Sequence, residues 1–445
     1  MRNKKLGPMG AVAIIVGGMI GSAIYSLSGM TIYYGGPAAI LSWTVAAAIL
    51  FMYALQVTEL SCIFPKSGGV FVFPEKSLGR TEEEGKFWGW ISTWGYMNAN
   101  IGGIAFAAIY ISRYLSAGFP IFSDMQIPLA VGACLLLGLL NLLGITVAGR
   151  ANFVLVIILV GTLVIFSAIG LFFGNWDGTM LQPFFTQGIK GATGWISAIP
   201  NAMVAFGSIV AVAFLVSDVE DPRKNVPRAT FLAMAIVLLI YLAVILTTLG
   251  YISATFLKEN AGFRFIPLFA VAWTGLQEFT FLPKLISLSA FLALSTTMLV
   301  VTALTARAMS AAADGKMLPK IFAKRMENNV PATATVVTAL IAAIISFFPT
   351  FTEQIVNFAS LFAAVTICIN CISLMAAHKK GLSAENTFKC PFGKVIPPLT
   401  VGIIIATYIP SILQGGLQLI LYTLMWYGLG ILIFWVIKQK GRAGS

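Results

Sequence analysis

Residues 8–34 read PMGAVAIIVGGMIGSAIYSLSGMTIYY, an apolar run without a charge whose middle holds Gly17, Gly18 and Gly21. A bilayer needs about 20 apolar residues per helical span, and this run supplies them. Glycine is costly inside a helix because it has the most backbone freedom to lose. Three glycines within Gly17–Gly21 leave two readings: a G-x-x-x-G face for close helix packing, or a local break in the helix. In the second reading, N–H groups freed at the start of the outer half can hold a carboxylate. Carbonyls freed at the end of the first half can hold an ammonium or another cation.

Residues 201–210, NAMVAFGSIV, carry a weaker echo, with the pair Gly207-Ser208 in the middle of a later span. Interrupted helices at the first and sixth positions fit two five-helix repeats of opposite topology with a solute site at the midplane. The sequence therefore predicts non-helical backbone around Gly18–Ser22 and around Phe206–Ser208.

Working outward, apolar runs recur along the whole chain, at 8–34, 37–62, 86–116, 127–148, 151–174, 194–217, 229–252, 284–312, 331–349, 354–377, 395–415 and 417–437. We expect an all-α membrane protein of 12 transmembrane helices. Two five-helix repeats would then occupy 8–174 and 194–377 within a single domain, 1–437, leaving two further helices at 395–437 and a tail at 438–445. The composition agrees: 58% of residues are apolar and only 10% charged, where a soluble domain carries about 25% charged residues. The basic start Arg2-Asn3-Lys4-Lys5 ahead of an apolar run mimics a leader peptide. That run is glycine-broken and too long, and it lacks a small-residue cleavage site, so we read it as the first span. Residues 253–283 are rich in aromatics and prolines and predict short helices lying over the entrance.

The net charge of +12 comes from short loops rather than from a basic face. With twelve spans, 23 of the 28 Lys and Arg residues fall on one side. That bias places both termini in the cytoplasm of a multi-pass protein of the cell membrane, and it argues against a nucleic-acid partner. The five cysteines suggest neither a disulfide framework nor a zinc site, and Cys368 and Cys371 read as small packing residues inside a helix. No phosphate-binding G-x-x-x-x-G-K-[ST] run occurs, so no ATP hydrolysis and no cofactor are expected. No set of His, Cys and acidic residues shares one depth, which argues against an enzyme. A channel-like protein is the competing class, and the paired helix breaks argue against it.

Ionisable groups are nearly absent from the spans. Glu59, at the end of the second span, is the nearest candidate, and Lys66 is its expected ion-pair partner. Uncharged polar residues do occur inside: Gln56, Tyr96, Asn98, Asn100, Ser295, Thr296, Thr297 and Asn370. Such residues ordinarily bond between helices.

Three stretches carry a family likeness: the run Gly17–Tyr25, the run Glu59-Leu60 to Pro65-Lys66-Ser67-Gly68-Gly69, and Glu220-Asp221-Pro222-Arg223-Lys224-Asn225-Val226-Pro227-Arg228-Ala229. Asp314-Gly315 and Leu318-Pro319 also fit. Together they resemble the amino acid–polyamine–organocation superfamily over nearly the whole chain, and within it bacterial amino-acid permeases and antiporters such as the arginine/agmatine exchanger. The resemblance implies the five-plus-five inverted repeat with two extra helices, alternating access, and transport of amino acids. It implies a site in which the N–H groups of Ser22 and Ala23, beside Gly21, meet the solute carboxylate. Carbonyls near Met19, Val204 and Gly207 would meet its ammonium, Phe206 lies in the same stretch, and Tyr96 stands where the antiporter has a gating tyrosine.

The chain departs from the pattern at three places. Ala23 replaces a third family glycine. Val210 replaces a glutamate, and Val204 and Val300 stand where the antiporter has tryptophans. Without an acid or an aromatic platform a second cation is poorly compensated, so a neutral, zwitterionic amino acid is the expected solute and a polyamine the alternative. Leu159 stands where a proton-coupled relative has lysine, while Ser295 and Thr296 lie near the hydroxyls of a sodium site in related carriers. Exchange without ion coupling is the leading expectation. The expected partners are an amino-acid or amine solute and membrane lipid, with a homodimer as the candidate assembly.

Overall fold

The computed structural model describes residues 8–65, 68–143, 150–207, 209, 221–382, 388–411, 413 and 416–443. The first apolar run forms two helices instead of one, α1 (Pro8–Met19) and α2 (Ser22–Gly35), with Ile20 and Gly21 outside both. A turn of 3-10 helix at Gly36–Ala38 then leads into α3 (Ala39–Ile63). Gly36 takes a φ of 57°, a left-handed conformation in which a side chain would be strained, and Pro37 follows it.

The second family-like stretch is another break between helices. Gly68, at φ 87°, precedes α4 (Gly69–Ser77). Next comes α5 (Glu82–Gly118), whose first turn is capped by the Thr81 hydroxyl, which accepts the Glu84 N–H at 3.2 Å. Glu82, Glu83 and Glu84 place negative charge at this helix N-terminus, where the helix dipole favours it. α6 (Gln126–Leu142) and α7 (Arg150–Ala168) follow. α8 (Gly194–Phe206) ends with the Gly207 N–H bonded to the Val204 carbonyl. Ser208 and Val210 lie outside the described residues.

The remaining long helices are α9 (Pro222–Leu249), α12 (Leu282–Asp314), α13 (Ala332–Ser346), α14 (Thr352–Lys379), α15 (Ile396–Ser411) and α16 (Leu417–Ala443). Between α9 and α12 stand the short helices α10 (Ala254–Glu259) and α11 (Pro267–Thr274), as the composition of that connection predicted. Among the described residues, eight helical stretches are long and apolar enough to cross a membrane. Two expected spans appear as shorter apolar helices, Ala332–Ser346 and Ile396–Pro410.

α5 is the post around which the bundle is built, and it packs along α12 and α14. Small residues set the spacing. A side chain at Gly118 would collide with Ser287, and one at Gly102 would press on Ala359. Where lipid supplies no hydrophobic drive between helices, such close backbone approach lets dispersion hold them together. α16 is pinned to α5 by Trp90, whose indole donates to the Gly430 carbonyl at 2.8 Å, and by Trp94 stacked on Trp426.

Glu59, 4% exposed near the end of α3, has two partners. Its Oε1 meets His378 Nε2 of α14 at 2.9 Å, and its Oε2 accepts the Cys390 N–H at 2.9 Å. Lys66, the expected partner, lies outside the described residues. A carboxylate this deep must be paired, and removing it strands a histidine and a backbone donor. We predict that Glu59→Ala destabilises the fold by on the order of 3 kcal/mol, read as a clear fall of Tm in detergent. Asp314→Ala, which breaks a half-exposed pair with Arg325, should leave Tm nearly unchanged.

Candidate functional site

The break between α1 and α2 is buried. Met19 is 2% and Ser22 4% exposed. Buried backbone polar groups must be paired, and two side chains from distant helices do this. The Ser22 N–H donates to Thr297 Oγ1 of α12 at 3.3 Å. The Met19 carbonyl accepts the Tyr241 hydroxyl of α9 at 2.8 Å. Ala23 sits in the first turn of α2, where N–H groups have no acceptor within their own helix.

The half-helix α2 is held in place below this point. Tyr25 shares a 2.7 Å hydrogen bond with Ser289 of α12, and its carbonyl accepts the Tyr114 hydroxyl of α5 at 2.6 Å. Gly21 faces Thr297 so closely that a Cβ there would lie 2.7 Å from the threonine oxygen.

The structure brings Met19, Gly21, Ser22 and Phe206 together. Phe206 is fully buried, packs edge-on against Trp43 at 5.9 Å and lies tilted against the same Tyr241 at 5.4 Å. Val204 and Gly207 close the end of α8 by their mutual hydrogen bond. Val300 lies one turn beyond Thr297 on α12 and is 55% exposed. Tyr96 neighbours Tyr53, which accepts a hydrogen bond from Asn370 at 2.9 Å. Thr296 donates back to the carbonyls of Leu292 and Ala293, while Ser295 Oγ is buried without a partner. Leu159 is 2% exposed and part of the apolar core.

Tyr241 and Thr297 are the two residues that the sequence reading did not assign to the site. Each had a visible signal, a tyrosine in the apolar run Leu238–Val244 and a paired threonine in mid-span. Neither signal says which helix the hydroxyl will reach.

A charged network spans the end of the bundle that carries residues 253–281. Glu353, at the start of α14, takes the Arg264 guanidinium at 3.1 Å and the Tyr34 hydroxyl. Arg264 also lies 3.5 Å over the Tyr33 ring, and Asn357 donates to Tyr34 at 3.4 Å. Arg113 of α5 bonds the Pro349 carbonyl at 3.1 Å and covers Phe265. These contacts tie α2, α5, α14 and the connection between α9 and α12 into one cover. Lys190 stands over the Tyr34 ring, and burial pulls its ammonium below the usual lysine range, partly offset by Glu353. A cavity of about 620 Å³ lies beside this network, lined by Tyr34, Asn201, Asn357, Tyr408 and Tyr422 among others. It does not include the residues of the break.

This geometry is a helix interrupted inside an apolar bundle, with no charged side chain among the described residues bonded to the break and a charged network closing one end. The description of amino acid permeases matches residues 10–442. The chain belongs to the amino acid permease family. It is an integral membrane protein of a family of transporters. A branched-chain amino acid permease of Lactococcus lactis is 25% identical, over 97% of this chain and 94% of the relative. A methylthioribose transporter of Bacillus subtilis is 25% identical, over 96% and 91%. An arginine/ornithine antiporter of Latilactobacillus sakei is 26% identical, over 87% and 79%.

Gly21 is where the Thr297 hydroxyl, as it stands, leaves no room for a side chain. We predict that Gly21→Leu abolishes solute uptake while the protein still inserts and elutes as a folded species from a sizing column. Gly21→Ala should already reduce uptake, because its Cβ meets Thr297.

Proposed function

We propose that this permease exchanges neutral, zwitterionic amino acids across the cell membrane by alternating access. The observation that carries the reading is the interrupted first helix, with its Ser22 and Ala23 N–H groups at the start of α2. A carboxylate is the natural ligand of such a helix start, where free donors and the helix dipole act together. In this reading residues 8–174 and 194–377 are inverted repeats within a bundle of twelve spans, and α15 and α16 are accessory. Both termini lie in the cytoplasm, which places the cover of Arg264, Tyr34 and Glu353 on the outside. The described structure then corresponds to a state closed to the outside.

Two features support a neutral solute. The break is flanked by Ile20, Ala23 and, through Tyr241, Phe206, with no acid and no exposed aromatic face among them to receive a second cation. The branched-chain amino acid permeases of L. lactis and B. subtilis align over nearly the whole chain. The arginine/ornithine antiporter among the relatives favours a second reading, a dibasic solute.

Exchange rather than ion-driven uptake is supported by Leu159, which is buried in the apolar core and supplies no titratable group, and by Thr296, whose hydroxyl donates back into its own helix. The test is counterflow in liposomes. We predict that labelled leucine enters vesicles preloaded with neutral amino acids, and that empty vesicles with an imposed sodium or pH gradient accumulate none. Putrescine or agmatine should compete less well than leucine. Stronger competition by either amine would move the assignment to the dibasic reading.

A further inference from the structure

Thr297 occupies an unusual position for a residue of a continuous helix. Its hydroxyl oxygen sits where the Ser22 N–H points, and it overlies Gly21 closely enough to exclude a Cβ. That is the seat which, on the proposed reading, an oxygen of the solute carboxylate takes. The contact is long, 3.3 Å from nitrogen to oxygen, so giving it up costs little.

A second observation concerns the hydroxyl proton. Thr297 Oγ1 donates to the Ala293 carbonyl at 2.9 Å. The same carbonyl accepts the Thr296 hydroxyl at 3.0 Å and the N–H of its own helical ladder. The Thr296 hydroxyl divides its one proton between this carbonyl and that of Leu292, and a carbonyl oxygen has two lone pairs, so the Ala293 oxygen keeps its helical N–H whether or not Thr297 donates. The Thr297 proton is surplus there and can be withdrawn without stranding an acceptor.

We propose that Thr297 selects for the carboxylate group. In the solute-free break its oxygen accepts the Ser22 N–H. When a carboxylate arrives, the side chain turns, the carboxylate takes the Ser22 N–H, and the Thr297 hydroxyl donates to the carboxylate instead of to Ala293. Both bonds gained are charge-assisted, and such bonds are about twice as strong as the neutral ones they replace. A solute without a carboxylate offers no acceptor, so Ser22 stays with Thr297 and nothing is gained. Thr297 would therefore separate an amino acid from the amine left when its carboxylate is removed. This rests on the reading of the break as the solute site.

The test compares each acid with its own amine. Wild-type protein and the variants Thr297→Val, Thr297→Ser and Thr297→Ala are titrated in detergent with three pairs: leucine and 3-methylbutylamine, asparagine and 3-aminopropanamide, arginine and agmatine. Binding is read by thermal shift, and Ser22 protection by amide hydrogen exchange. We expect the acid-over-amine preference to fall by about tenfold in Thr297→Val, as befits one lost charge-assisted bond, and to survive in Thr297→Ser. Solute-free Ser22 should exchange faster in Thr297→Val, and only the acid should slow it. An unchanged or larger preference in Thr297→Val overturns the role of Thr297 while leaving the break as the site. If Thr297→Val does not fold, Thr297→Ala against Thr297→Ser decides by the same ratio. If the wild type binds none of the three acids, the transport reading and this inference fall together.

Discussion

A helix that stops inside a bilayer leaves backbone donors and acceptors that neither lipid nor bulk water can satisfy. The arrangement around Ile20 and Gly21 answers that constraint. The interruption survives because α9 brings the Tyr241 hydroxyl to the last carbonyl of α1, and α12 brings the Thr297 hydroxyl to the first N–H of α2. Those helices must then stand at fixed distances from the break. The close packing of α5 against α12, with Gly118 set on Ser287, fixes one of them. Tyr25 and Tyr114 link α2 to α12 and α5 one turn further along. The partners are hydroxyls instead of charges, so they satisfy the backbone while remaining weak enough to be exchanged for a solute.

Charge is handled in the opposite way. At one end Glu353 gathers Arg264 and Tyr34 into a cover over α2 and α14. At the other, Glu59 ties α3 to α14 through His378 and to the following connection through Cys390. α14 joins both ties. Between the two ties its middle is held to α3 by Asn370, which donates to the Tyr53 hydroxyl. On the proposed reading, releasing one end tie while the other holds exposes the site to one side at a time.

The run Gly17–Gly21 already carried the first break in the sequence. Glycine density at mid-span left only packing or unwinding, and the backbone unwinds at Ile20–Gly21, slightly later than the glycine pair. The short helices at 254–259 and 267–274 were likewise readable, because their aromatics, prolines and few charges suit neither a span nor a water-filled loop. What the sequence could not supply is pairing across the bundle. Glu59 had Lys66 as its obvious neighbour in the chain, but nothing local foretold His378, 319 positions away, as a partner. Ser22 and Thr297 are 275 positions apart. Nothing in local periodicity links them, since which hydroxyl faces a break depends on the rotation of a whole helix. Thr297 faces Ser22 while its neighbour Thr296 bonds back into its own helix, because a step of one residue turns a helix by roughly a quarter of a circle.

The central claim is that the start of α2 receives the solute's carboxylate. The most direct measurement is a structure of the permease bound to a neutral amino acid such as leucine. The account predicts the carboxylate within hydrogen-bond distance of the Ser22 and Ala23 N–H groups, with Thr297 Oγ1 displaced from Ser22. A bound solute seated elsewhere, with Ser22 still donating to Thr297, would contradict it.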